Sequence, residues 1–291
     1  MLHNKTVVYV LLIATLCTLL LGGCNQPVET HSLEDSDLFK IGVSSSQMSC
    51  LVRAVGREEV EVVGPIVPPT ICPGHFDIKP SDVVGFSDCC VIFAHTFEPF
   101  VDKVVDSVDN PDLQVVRIEV IGAWMEPGKQ KEATEKVKNE MKRIFPQKAD
   151  IFEENAAAYR AEIDRVSVNY QQIFQAHETY QGKVICHEFQ KGLLEWMGFE
   201  VVGTYPCPDD LTPAMIRELI NIGSREKVSL VVDHLQAGPG EGKEIANAIG
   251  AKNIGTTFFP GMLAEDGDYF AELDANVQEV ITAWDEQRKQ Q

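Results

Sequence analysis

The chain opens with an apolar stretch from Val7 to Leu21, broken only by Thr15, Cys17 and Thr18, and a polar stretch from Asn25 to Asp37 follows without periodicity. Beyond it, apolar residues gather in short runs at Phe39–Val43, Val60–Val63, Cys89–Ala94, Gln114–Ile121, Lys183–Cys186, Phe199–Tyr205, Val228–Val232 and Asn253–Phe258. Runs of this length predict buried strands. Segments with helical spacing lie between most of them, for instance Phe97–Val105, Glu188–Met197, Pro213–Gly223 and Gly242–Ile249. Strands alternating with helices predict an α/β protein with parallel sheets. The strands fall into two groups of four, separated by Gly128–Gln181, which carries no strand pattern. Inside that gap, Lys129–Phe145 reads as a charged amphipathic helix stopped by Pro146, and Ala149–Tyr180 runs without Pro or Gly. A helix over the second span reaches about 45 Å, longer than one small lobe needs, and predicts a spine. The alternative is two helices broken near Val168. The expected organisation is two lobes with parallel four-stranded sheets, residues 38–147 and 182–291, joined by a long rigid helix over 148–181.

The first residues set the compartment. His3 and Lys5 precede the apolar run, which ends in Leu21-Gly22-Gly23-Cys24. That pattern predicts a signal peptide over residues 1–23, because a membrane span needs about 20 apolar residues. Small residues before a Cys resemble the bacterial lipobox, which implies lipidation of Cys24 and a flexible tether over residues 24–37; the alternative is an uncleaved anchor with an incidental Cys. A formal net charge of −19 argues against nucleic acid, which requires basic patches. Six cysteines then remain, Cys50, Cys72, Cys89, Cys90, Cys186 and Cys207, with no CxxC pair, so zinc-ribbon and thioredoxin-like readings fail on spacing. Cys50, Cys89, Cys90 and Cys186 lie in apolar segments and are expected to be buried. Cys72 and Cys207 lie in Pro-rich loops, where an oxidising compartment would allow a disulfide.

Ligands of open parallel sheets bind past the carboxyl ends of the strands. His95, His187, Asp233 and His234 each stand at such an end, with His75 and Glu126 in loops after two others. Imidazoles with a carboxylate are the donors of a first-row metal site, of zinc or, with more carboxylate, manganese. Asp233 has a simpler alternative, capping a helix that begins near Gly240. The glycine-rich stretch Ala237–Glu244 departs from a phosphate loop at both ends, and no Gly-x-Ser-x-Gly or HExxH motif is present.

Five segments carry a resemblance. Gly74-His75-Phe76-Asp77-Ile78-Lys79-Pro80-Ser81-Asp82 resembles the ligand loop of the periplasmic zinc and manganese solute-binding proteins of ABC transporters, with Ser81 opening a helix. Phe97-Glu98-Pro99-Phe100 resembles their Leu-Glu-Pro-Trp segment, and Trp124-Met125-Glu126-Pro127 their His-x-Trp-x-Asp-Pro loop. Cys186-His187 and Val231-Val232-Asp233 resemble their strand-terminal ligands. The resemblance implies two α/β lobes, a rigid connecting helix and a metal in the cleft, with His75, His187 and Asp233 as ligands. The remaining family histidine is expected at Ala123, which cannot bind metal. His95 is the preferred substitute, with Glu126, Asp77 and His234 behind it. The implied cargo is zinc or manganese. The implied partners are the permease of an ABC importer and, through lipid, the membrane, with no nucleic acid and the protein a monomer. Two further readings are a binding protein whose cargo has changed, such as a metal chelate, and a surface metallohydrolase using Glu188 or His234 as base.

Overall fold

The computed structural model describes residues 38–73, 76–238, 240–264 and 267–289. The signal peptide, Cys24 and the tether lie outside the described residues, as does His75. Eight strands form: β1 (Phe39–Val43), β2 (Val60–Val63), β3 (Val91–His95), β4 (Gln114–Ile118), β5 (Lys183–His187), β6 (Glu200–Tyr205), β7 (Leu230–His234) and β8 (Lys252–Thr256). They make two parallel four-stranded sheets of the same order, β2-β1-β3-β4 and β6-β5-β7-β8. The central strands β3 and β7 are buried at every position, as a parallel sheet covered on both faces requires, whereas the outer strands β2, β4, β6 and β8 are partly exposed. The fourth run overshoots: Ile121 is apolar yet 78% exposed, and the ladder stops at Ile118.

The α-helices are α1 (Ser46–Gly56), α2 (Phe100–Ser107), α3 (Pro127–Ile144), α4 (Ala149–Ala176), α5 (Lys191–Trp196), α6 (Pro213–Glu226), α7 (Glu241–Ile249) and α8 (Tyr269–Arg288). Helix α4 is continuous through Val168 over 28 residues, about 42 Å at the standard rise. It buries Phe152, Ala156, Ile163, Tyr170 and Phe174 along one stripe. That stripe belongs to one continuous core running from Ile41 and Phe93 in the first sheet, past Trp124, to Val184 and Val232 in the second. Burying a side chain such as Phe152 fully contributes about 2–3 kcal/mol, so the spine is held along its length by packing, not by helix propensity. The hydroxyl of Tyr170 donates to Asp274 Oδ1 at 2.7 Å, tying α4 to α8.

Two local expectations change. Ser81 does not open a helix: Pro80–Val83 is one 3-10 turn whose Lys79 N–H donates to Asp82 Oδ2 at 2.8 Å. The turn stops because Val84 is extended and Gly85 adopts φ +95°. Cys90, expected inside, is exposed, whereas Cys89 and Cys186 are buried and Cys50 is half-buried. No disulfide links any of the six cysteines. Among the described residues no helix is long and apolar enough to cross a membrane.

Candidate functional site

In both sheets the chain direction switches between the two central strands, β1 and β3 in the first and β5 and β7 in the second. That is where open parallel sheets bind ligands. The first switch carries Ser44, Ser45 and His95; the second carries His187, Asp233 and His234.

At the first switch, Ser45 caps α1 by accepting from Met48 N–H at 3.2 Å, and the same hydroxyl hydrogen-bonds His95 Nε2 at 2.9 Å. The His95 ring is fully buried, stacked against Phe97 and Phe259 at 4.8 and 5.0 Å with the edge of Trp124 at 4.4 Å. Its Nδ1 meets no hydrogen-bond partner among the described residues. Burial among these rings pushes its pKa down to about 3, so the ring is neutral. Glu98 Oε2 accepts from His95 N–H at 2.7 Å. Burial pushes the Glu98 carboxyl up to about 7, against the opposing pull of the Ser44 hydroxyl, the His95 N–H and Arg117.

The second switch keeps more donors near one another. His187 Nδ1 accepts from Phe189 N–H at 3.2 Å, which fixes the neutral tautomer with its proton on Nε2. That Nε2 is buried without a hydrogen-bond partner among the described residues. As placed, His187 therefore presents an N–H, and ligation through Nε2 requires the ring to release Phe189 and exchange tautomers. Burial lowers its pKa to about 4, with the Asp233 charge pulling the other way. The His234 ring lies 5.1 Å from it, centroid to centroid. His234 Nε2 donates to Gln236 Oε1 at 3.2 Å, because that oxygen already accepts from Phe258 N–H at 2.7 Å and is thereby fixed as oxygen. Asp233 is occupied: Oδ1 accepts from Gly242 N–H at 2.9 Å and from the Tyr205 hydroxyl, and Oδ2 accepts from Asn253 at 3.0 Å. It caps α7 as the simpler alternative expects. Gly242 is required there, since a Cβ would collide with Asp233 and Tyr205.

Between the switches lies a cleft of about 410 Å3. Phe97, Val120, Gly122 and Trp124 line it from the first sheet's side, and Phe189, Phe258 and Phe259 from the second. Its other lining groups are Cys72, Cys207, His234 and Glu188. Gly122 corrects the expected position of the missing histidine. Counted back from Trp124, His-x-Trp falls on Gly122, one residue before Ala123. Gly122 holds φ +117°, a conformation that residues with a Cβ rarely adopt. Ala123 is buried and packs on Gly192.

The other substitutes are engaged elsewhere. Glu126 caps α3, its two oxygens accepting from Gly128 and Lys129 N–H at 2.7 and 2.9 Å. Asp77 pairs with Lys103 at 2.9 Å on the surface, which holds its carboxyl below the usual range. Among the described residues no three His, Cys, Asp or Glu side chains converge on a metal position, so His95, His187 and Asp233 do not meet there. Cys72 and Cys207, grouped in the sequence as candidates for a disulfide, form none and instead both line the cleft. Both precede a proline, and both follow the outer strand beside a switch, β2 and β6.

Two parallel sheets joined by one long helix, with a cleft across their carboxyl ends, define a two-lobed solute-binding protein. The chain belongs to the ZnuA family, zinc-uptake complex component A, periplasmic, whose profile matches residues 41–283. Among solved structures the fold is similar to the Cd-bound periplasmic metal binding protein from Candidatus Liberibacter asiaticus, with 16% identity over 84% of this chain and 99% of that one and a TM-score of 0.71. It is similar to ZnuA, at 21% identity, 85% and 100% coverage and TM-score 0.68. It is similar also to the FpvC binding protein of P. aeruginosa in complex with Ni2+, at 16% identity, 86% and 97% coverage and TM-score 0.67. No curated protein matches the sequence.

Proposed function

We propose that the protein captures a transition-metal ion in the cleft between its lobes and hands it to the permease of an ABC importer. The observation that carries this reading is the interlobe cleft in a chain of the zinc-uptake family, its wall including Cys72, Cys207, His234 and Glu188, of which no three converge on a metal position as placed. Thiol and imidazole suit zinc, whereas manganese wants carboxylates and carbonyls. Asp233, Asp77 and Glu126 are already engaged, so zinc is favoured over manganese. His187 joins the donors once its ring releases Phe189. The lobes are residues 38–147 and 182–291, with 148–181 as the bridge. Removal of residues 1–23 and lipidation of Cys24 would anchor the protein outside the cytoplasm through the tether at 24–37. The continuous packing of α4 favours small lobe shifts over wide hinge closure.

The test is thermal and urea unfolding of metal-stripped protein with added Zn2+ or Mn2+. Zn2+ at one hundred times its Kd stabilises by about 2.7 kcal/mol. No stabilisation by either ion overturns the reading.

The aromatic lining favours one alternative. A volume of 410 Å3 falls in the range of small-molecule sites, about 300–1,000 Å3, and exceeds what a bare ion fills. Phe97, Trp124, Phe189, Phe258 and Phe259 would suit a metal chelate with an organic skirt. Stabilisation by a chelate but not by the free ion selects that cargo.

A further inference from the structure

The two thiols of the cleft occupy equivalent places in the two lobes. Cys72 lies in the loop after β2 and Cys207 in the loop after β6. Strands β2 and β6 flank the switch strands β1 and β5 in sheets of identical order. The loop carrying Cys72 is fastened to the opposite lobe: Cys72 N–H donates to Gln236 O at 3.1 Å, and Gln236 Nε2 donates to Pro69 O at 2.8 Å. Both cysteines line the same cleft, and the Cys207 thiol feels Cys72. Burial pushes the Cys207 thiol up to about 11, and its neighbours Cys72, Glu188, Asp210 and Asp209 push the same way. The surroundings thus oppose a bare thiolate.

We propose that Cys72 and Cys207 form a two-thiol seat for a thiophilic divalent cation of the zinc class, one sulfur from each lobe, with solvent completing the coordination. The inference rests on the metal-capture reading and names the donors that reading needs. On binding, each thiol loses its proton to solvent and its sulfur donates an electron pair to the cation, so one divalent ion displaces two protons and the site ends neutral. Aromatic walls of low polarity favour that neutral product over two separated thiolates. Because the sulfurs come from different lobes, the cation also staples the loop after β2 to the loop after β6.

The experiment titrates Cd2+ into the full chain, metal-stripped and kept reduced, and reads the ultraviolet thiolate-to-cadmium band, with Zn2+ calorimetry beside it. The wild type is expected to give the band of two thiolates and to release two protons per ion. Cys72→Ser and Cys207→Ser each give half the band and lose at least tenfold in Zn2+ affinity. The double variant gives no band, and Cys90→Ser, at an exposed position, keeps it whole. A full band in either single variant overturns the proposal. Zn2+ binding by the wild type with no thiolate band overturns it while leaving metal capture standing. Binding of neither ion removes both.

Discussion

The two switch points have one topology and opposite chemistry. In the first lobe the strand-terminal His95 is spent on structure: Ser45 holds one nitrogen, and Phe97, Phe259 and Trp124 close around the ring. In the second, His187 and His234 stand 5.1 Å apart; His187 Nε2, like His95 Nδ1, is buried without a hydrogen-bond partner among the described residues, so the contrast lies in the paired imidazoles. Duplicated architecture therefore does not duplicate function. Both lobes supply aromatic wall, and the imidazole on the cleft lining, His234, comes from the second. Phe259, from the second lobe's side, stacks on the first lobe's histidine, so the wall is built jointly.

The largest effect that sharpens this contrast is at the wall. Trp124→Ala removes a ring that is 1% exposed and should cost about 3–5 kcal/mol of stability, read by urea unfolding. A loss below about 1 kcal/mol would mean that the wall is not packed core. Next comes the histidine pair. His95→Ala should destabilise by about 1–3 kcal/mol, since Ser45 loses its buried partner, while Zn2+ affinity stays within threefold. His187→Ala should do the reverse, costing at least tenfold in affinity by calorimetry, about 1.4 kcal/mol. Equal affinity losses in the two variants would erase the distinction between the lobes.

The last effect is a slope with pH. The carboxyl of Glu98 is raised from 4.5 to about 7 on folding, so between those values the folded chain binds more proton than the unfolded one. Stability from this group therefore falls as pH rises from about 4.5 towards 7. His95 and His187 oppose it: each ring is lowered from 6.5, to about 3 and about 4, so their contribution is lost as pH falls below about 6.5. Glu98→Gln removes only the first slope. Its stability relative to wild type should improve by at most about 3 kcal/mol between pH 5 and pH 8, measured by urea midpoints. An unchanged difference across that range would show that Glu98 ionises normally.

The fold was largely legible in the sequence. All eight strands announce themselves as short apolar runs, and the absence of Pro and Gly over Ala149–Tyr180 marks the spine. Helix α1 is not marked, because its opening Ser46-Gln47-Met48-Ser49 is polar and its cap, Ser45, sits in a serine run that reads as a loop. Helix α8 is not marked either, since its buried Glu272 and Asn276 interrupt the apolar stripe. Glu272 is inside because its carboxylate gathers the N–H groups of Gly261, Leu263 and Ala264, a loop closure that no local pattern reveals. The site was legible only in part. The strand-terminal positions of His95, His187 and Asp233 are topological and could be counted. Whether a side chain there is vacant or engaged depends on partners far along the chain, as with Asn253 on Asp233 and Phe259 on His95.

Gln236 extends this dependence to the whole cleft. Its one amide holds the peptide of Pro69 from the first lobe and the peptides of Phe258 and Phe259 from the second, and its oxygen also orients His234. It works as a clasp joining two margins of the opening and a donor on its floor. A displacement of either margin would therefore be felt at the His234 ring, through the same side chain.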